Sequence, residues 1–168
     1  MLYKTSRRIS QYRQRTKFVK MTPFEMSKLH LLSGSLTRPW SESEYKNLLA
    51  TDTIRFFYVE NGFLVGRLVS SDAEILNVIV HPKYRRLGKA RYLIGKFEKE
   101  AKDIGSSRCF LEVAESNGQA NKLYQSLSYL NVGQRKNYYK FVDGRKDNAS
   151  ILAKEICCLL YTSPSPRD

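Results

Sequence analysis

Val78-Ile79-Val80-His81-Pro82-Lys83-Tyr84-Arg85-Arg86-Leu87-Gly88-Lys89-Ala90-Arg91 decides how this 168-residue chain folds. An apolar, β-rich strand runs into a Pro stop. A short basic turn with one Gly follows, and then an amphipathic helix. This order brings backbone N–H groups, the cations Arg85, Arg86, Lys89 and Arg91, and a helix N-terminus to one point. The first N–H groups of a helix lack intrahelical acceptors, and its dipole adds partial positive charge there, so such a point attracts anions. The expected occupant is the pyrophosphate of a nucleotide-type cofactor.

Outward from that turn, Ala90, Leu93, Ile94, Phe97, Ala101 and Ile104 recur at helical spacing, and Gly105 provides a stop. Cys109–Val113 follows as a strand, so the segment reads as a β-α-β crossover with a parallel pair. Upstream, Thr53–Val59, Phe63–Val69 and Ala73–Val80 read as an antiparallel meander, with Asn61-Gly62 as its first turn. Two helices precede it, each opened by a capping box: Thr22-Pro23-Phe24-Glu25 and Ser41-Glu42-Ser43-Glu44. The first is expected to bury Phe24, Leu29 and Leu32 or their neighbours. Lys17–Met21 reads as a short first strand. Downstream, Ser116-Asn117-Gly118-Gln119 reads as a third capping box opening a short helix. Tyr129–Gln134 and Ala149–Ile156 read as closing strands around a polar loop, Arg135–Asn148.

The composition narrows the function classes. No apolar run is long enough to span a membrane, and the N-terminus lacks the apolar core of a secretory signal. The three Cys are neither a disulfide framework nor a metal site, so a reducing cytoplasm is the expected setting. His30 and His81 lack metal-ligand spacing, and no metal is expected. The formal charge is +13, with seven Lys/Arg in the first 20 residues and no acid before Glu25. A basic arm over residues 1–16 is therefore expected, either a solvated tail or a means of contact with RNA, the ribosome or another anionic surface. Residues 17–156 form the expected domain. Cys157–Asp168 resembles translated sequencing-adaptor read-through and is expected to lie outside it.

The element order, with Arg85-Arg86-Leu87-Gly88-Lys89-Ala90 at the strand-to-helix turn, resembles the GNAT acetyltransferase superfamily, whose acetyl-CoA signature is Arg/Gln-x-x-Gly-x-Gly/Ala. Leu111-Glu112-Val113-Ala114-Glu115-Ser116-Asn117, Leu123-Tyr124, Asn137-Tyr138-Tyr139 and Trp40-Ser41-Glu42 are similar to the RimI-type branch, which acetylates the N-terminal alanine of a small-subunit ribosomal protein. The chain departs from the family at Ser128, where Gly is usual, and at Tyr129, which replaces Phe. The resemblance implies a single-domain α/β fold: a mixed, splayed sheet of six to seven strands flanked by about four helices, acting as a monomer or weak dimer.

The resemblance also implies site roles. Backbone groups of Val78, Ile79 and Val80 would pair with the pantetheine arm of acetyl-CoA. The N–H groups and side chains of Arg85, Arg86, Leu87, Gly88, Lys89 and Ala90 would hold its pyrophosphate, and the Asn117 amide would contact the arm. Glu112 alone reads as a strand carboxylate paired with a nearby cation; in the family it is the general base. Tyr124 alone reads as core; in the family it protonates the CoA thiolate. Trp40, Tyr138 and Tyr139 would line the acceptor groove, with Tyr138 and Tyr139 equally readable as loop packing. Two other functions stay open: acetylation of a small-molecule amine, and a catalytically silent RNA- or ribosome-binding module.

Overall fold

The computed structural model describes residues 20–35 and 37–156, so the basic arm and the C-terminal tail lie outside the described residues. Helix α1 (Pro23–Leu32) and helix α2 (Glu42–Leu49) lead into strands β1 (Ile54–Val59), β2 (Gly62–Leu68) and β3 (Asp72–Val80). A 3-10 turn (Pro82–Tyr84) and helix α3 (Lys89–Asp103) lead to β4 (Arg108–Ala114), helix α4 (Gly118–Ser126), β5 (Leu130–Lys140) and β6 (Lys146–Glu155). The six strands form one mixed sheet in the order β1-β2-β3-β4-β6-β5.

Both upstream capping boxes form. Thr22 Oγ1 accepts from the Glu25 N–H at 3.2 Å, and Ser41 Oγ accepts from the Glu44 N–H at 3.3 Å; each Glu carboxylate accepts from its cap residue's N–H in return. The face that α1 buries differs from the expectation. Met26, Leu29 and His30 are buried, whereas Phe24 and Leu32 are exposed. Spacing of three and four from Met26 puts those residues on the stripe facing α2 and the sheet. The third capping box is corrected: Asn117 is the cap, and its Oδ1 accepts from the Ala120 N–H.

The hairpin turn also shifts by one residue. Val59 pairs with Gly62, so Glu60-Asn61 form the two-residue loop and Asn61 takes φ 60°. Of the expected first strand, Lys17–Val19 lie outside the described residues, and Lys20 and Met21 are irregular. The expected polar loop Arg135–Asn148 is mostly strand: β5 and β6 pair as a long hairpin around residues 141–145.

Helices α3 and α4 cover one face of the sheet, with Leu93, Ile94, Phe97 and Tyr124 packed against Ile75, Leu111 and Leu152. Helices α1 and α2 cover the other, with Met26, Leu29 and Tyr45 against Phe63, Val65 and Ile79. Packing against α3 is close: a Cβ on Gly66 would stand 2.2 Å from the Phe97 ring, so only Gly fits there. Among the described residues no helix is long and apolar enough to cross a membrane.

The feature that positions the site is a gap. Strand β3 pairs with β4 in parallel from Asp72↔Arg108 to Ile75↔Leu111 and no further, although β3 continues to Val80 and β4 to Ala114. At the point of separation β3 carries a bulge. Gly66 and Val65 of β2 face Ile75 and Asn77, which leaves Leu76 as an extra residue. Beyond it, β3 loses its strand neighbour on the β4 side, and the sheet splays into a cleft of about 1180 Å³.

Candidate active site

The basic turn closes one end of the cleft. Arg86 (φ 63°) and Gly88 (φ 79°) both take left-handed backbone, the arrangement that turns successive N–H groups into one concavity. Gly88 has no side chain with which to cap α3, so the helix's first N–H groups open onto that concavity. A non-Gly residue at positive φ is strained, which is common where a ligand clamp needs the geometry.

The cationic side chains of the turn divide the work. Arg85 Nε donates to the Val80 carbonyl at 3.1 Å and its Nη2 to the Ser33 carbonyl, tying the end of β3 to the loop after α1. Lys89 is buried; its Nζ donates to the Glu60 carbonyl and lies over the Tyr84 ring. Arg91 Nη2 donates to Ser126 Oγ at 2.7 Å, joining α3 to α4. Thus Lys89 and part of the Arg85 guanidinium are engaged by backbone carbonyls. The remaining Arg85 N–H groups, the exposed Arg86 and the backbone N–H groups of the turn are those that could meet a phosphate.

Every expected site residue except Leu87 lines the cleft; Leu87 is exposed beside it. The edge of Val78–Val80 that lacks a β4 partner forms one wall, with the Val80 carbonyl taken by Arg85. A pantetheine-sized amide chain fits an unpaired strand edge of this kind, which offers alternating donors and acceptors. Asn117 sits at the mouth of α4 with its Oδ1 engaged as the cap, and Asn121 Nδ2 donates to the Ala114 carbonyl at 3.1 Å, fixing the end of β4.

Tyr124 projects from α4 into the cleft wall and is 8 % exposed. Burial, then the neighbouring Tyr139 and Cys109, push its phenol above its ordinary range, so it holds its proton at neutral pH. Its backbone is held by the end of α4. The Tyr129 N–H donates to the Tyr124 carbonyl at 3.0 Å, the Ser128 N–H donates to the Gln125 carbonyl, and Ser128 takes φ 68°. These are the bonds of a Schellman stop.

Glu112 lies mid-cleft on β4, half-buried, with its Oε1 accepting from Arg135 Nη1 at 2.9 Å. The guanidinium in turn lies 4.1 Å over the Tyr138 ring. Tyr139 Oη donates to the Glu112 backbone carbonyl at 3.1 Å. Simple alternation would send Tyr138 and Tyr139 to opposite faces. The register shift between Arg135 and Tyr139, with Asn137 at φ 53°, lets both line the cleft. The sequence reading missed Arg135 because this polar strand has no hydrophobic alternation. It also missed Glu74, a cleft carboxylate paired with Arg67 at 2.8 Å. Burial raises the Glu74 pKa; the Arg67 charge opposes this and Glu112 adds to it.

Trp40 lines the cleft and is also part of the core beneath α1 and α2. Its backbone N–H donates to His30 Nδ1 at 3.1 Å, and Tyr45 Oη lies 2.8 Å from the same nitrogen. His30 is therefore a packing residue, and it anchors the Trp40 segment. Cys109 is buried, accepts from Tyr129 Oη, and has its thiol pKa pushed up to about 12, mainly by burial. It is a poor nucleophile. No group of three or more His, Cys, Asp or Glu suited to a metal ion occurs among the described residues.

Residues 26–129 match the family model described as Acetyltransferase (GNAT) family. The chain is 34% identical over 131 residues to the ribosomal protein bS18-alanine N-acetyltransferase of Escherichia coli (strain K12), covering 76% of this chain and 88% of that protein. It is 33% identical over 119 residues to the enzyme of the same name from Haemophilus influenzae, covering 68% and 81%. Among solved structures, the ribosomal-protein-S18-alanine N-acetyltransferase from Escherichia coli superposes with a TM-score of 0.72 at 28% identity, covering 81% of this chain and 88% of that one.

Proposed function

The chain belongs to the GNAT acetyltransferase family, and from that premise we propose that it transfers the acetyl group of acetyl-CoA to the N-terminal α-amine of a ribosomal protein. The observation that carries the acceptor class is the 34% identity spanning 88% of the Escherichia coli relative, whose name specifies the alanine of bS18. GNAT acetyltransferases use acetyl-CoA. The cleft suits that co-substrate, with a concave N–H turn at one end, an open strand edge along one wall and a protonated phenol near the other.

In this reading the Arg86–Ala90 backbone binds the pyrophosphate, and the β3 edge beyond its bulge holds the pantetheine arm. An N–H of that edge polarises the thioester carbonyl. Glu112 takes a proton from the acceptor's ammonium, directly or through a water. The freed amine attacks the carbonyl carbon, the C–N bond forms and the C–S bond breaks. Tyr124 gives its phenolic proton to the departing thiolate, and the second proton lost by the acylated nitrogen passes to solvent, from which the phenol is restored. The buried Cys109 takes no part, so no acyl-enzyme forms.

The test is a panel of peptides with free N-termini, together with small amines such as polyamines, incubated with enzyme and acetyl-CoA and read by mass spectrometry. The expected product carries one acetyl group on the N-terminal residue, with peptides beginning in Ala preferred. Acetylation confined to small amines would overturn the acceptor class. No transfer to any amine would overturn the enzymatic reading.

A further inference from the structure

We propose that Arg135 is a positioning residue for the transfer, holding the Glu112 carboxylate oriented toward the acceptor; this rests on Glu112 acting as the base. Three observations converge on it. Arg135 Nη1 donates to Glu112 Oε1 at 2.9 Å, a charge-assisted bond that removes rotational freedom from a side chain on the part of β4 that has lost its β3 neighbour. The guanidinium is itself fixed from the other side, 4.1 Å over the Tyr138 ring. Both partners arise from the distortion of β5. Between Arg135 and Tyr139 the register shifts, Asn137 takes φ 53°, and the Asn137 N–H donates to Asn148 Oδ1 at 3.0 Å.

Regular pairing would not deliver Arg135, Tyr138 and Tyr139 to one residue of β4. The Tyr139 hydroxyl fixes the Glu112 backbone at its carbonyl while Arg135 fixes the side chain, so Glu112 is held at both ends. A base held in one orientation needs no rearrangement when the acceptor arrives, and small misplacements of a catalytic group cost rate steeply. Arg suits this position better than Lys, because its planar group can stack on a ring and donate in plane at once.

The experiment uses the most active acceptor of the panel and compares Arg135→Gln, Arg135→Lys, Glu112→Gln and the Glu112→Gln/Arg135→Gln double variant, each checked for wild-type stabilisation by acetyl-CoA. The expected result is a kcat lowered at least tenfold in Arg135→Gln, with the KM for acetyl-CoA and for the acceptor each within about twofold. Arg135→Lys recovers part of kcat. The double variant is no slower than Glu112→Gln alone, since Arg135 acts through Glu112. Wild-type kcat in Arg135→Gln, alongside a slow Glu112→Gln, would overturn the role of Arg135 and leave the base in place. Independent, multiplicative losses would overturn it also. Wild-type turnover in Glu112→Gln would instead remove the base itself, and with it this inference. If Arg135→Gln does not fold, Arg135→Lys decides: unchanged kcat and KM would overturn the proposal.

Discussion

His30 shows how one buried side chain links stability to the Trp40 wall of the cleft. Two donors meet its Nδ1, the Trp40 N–H and the Tyr45 hydroxyl, so that nitrogen must be bare and the ring neutral. Burial first, and then the nearby Arg38 charge, lower its pKa to about 4, with Glu44 opposing. The sign follows from linkage. The unfolded chain takes up a proton near the ordinary His pKa of about 6.5, while the folded chain stays unprotonated until about pH 4. The stabilisation is full above about pH 6.5 and is lost as pH falls toward 4, amounting to roughly 3 kcal/mol over the whole span. Urea unfolding at pH 7, 6 and 5 is expected to show stability falling with pH, in a range where carboxylates with lowered pKa values, such as Glu44, remain ionised. A flat profile, or a His30 imidazole that titrates near 6.5 by NMR, would contradict the neutral anchor. Because that anchor carries Trp40, loss of order in the Trp40 wall of the cleft is expected in the folded chain only near pH 4, where His30 takes up its proton.

The stop of α4 works at the scale of an element. The hydrogen bonds from the Ser128 and Tyr129 N–H groups require left-handed backbone at position 128, and the Tyr124 and Tyr129 rings meet edge-on at 5.8 Å across the turn. Ser pays a steric cost there of about 1 kcal/mol that Gly avoids, partly offset by the greater freedom of Gly in the unfolded chain. Ser128→Gly is therefore expected to raise stability by up to about 1 kcal/mol, read as a higher urea midpoint at unchanged slope. Destabilisation would mean that the Ser128 side chain holds the stop. The sequence carried this feature as a departure from the family at Ser128. It also carried the meander, the α3 crossover and both upstream caps, because hydrophobic period and capping chemistry are local. What it did not carry arises from pairing. The bulge at Leu76 exists only relative to β2, and the distortion of β5 only relative to β6. Arg135 and Glu74 were invisible for that reason: their importance lies in which strand stands beside them. Lys89 and Arg85 were legible as cations, but their turn toward backbone carbonyls depends on distant loops at Glu60 and Ser33.

At the scale of the whole molecule, the sheet is two halves joined by a short seam. Strands β1–β3 lie on one side and β4, β6 and β5 on the other, and the parallel pairing between them covers four residues of each strand, from Asp72 to Ile75 and from Arg108 to Leu111. Beyond the seam, the cleft separates β3 from β4 and is lined by residues of both halves. A molecule lying along the β3 edge, with its pyrophosphate at the Arg86–Ala90 turn and its thioester near Glu112 and Tyr124, would contact both sides of the gap at once. It would bind the folded chain and not the unfolded one, so it must raise apparent stability by mass action. At 100 times its Kd the gain is about 2.7 kcal/mol. For a chain of this size that corresponds to a rise in Tm of about 5–10 °C. Acetyl-CoA is expected to give that shift, and Gly88→Val to abolish most of it, since a β-branched residue cannot adopt the positive φ that shapes the N–H concavity. A shift of the same size with Gly88→Val would move pyrophosphate binding away from the turn. No shift with the wild-type chain at saturating acetyl-CoA would mean that the cleft does not hold the co-substrate.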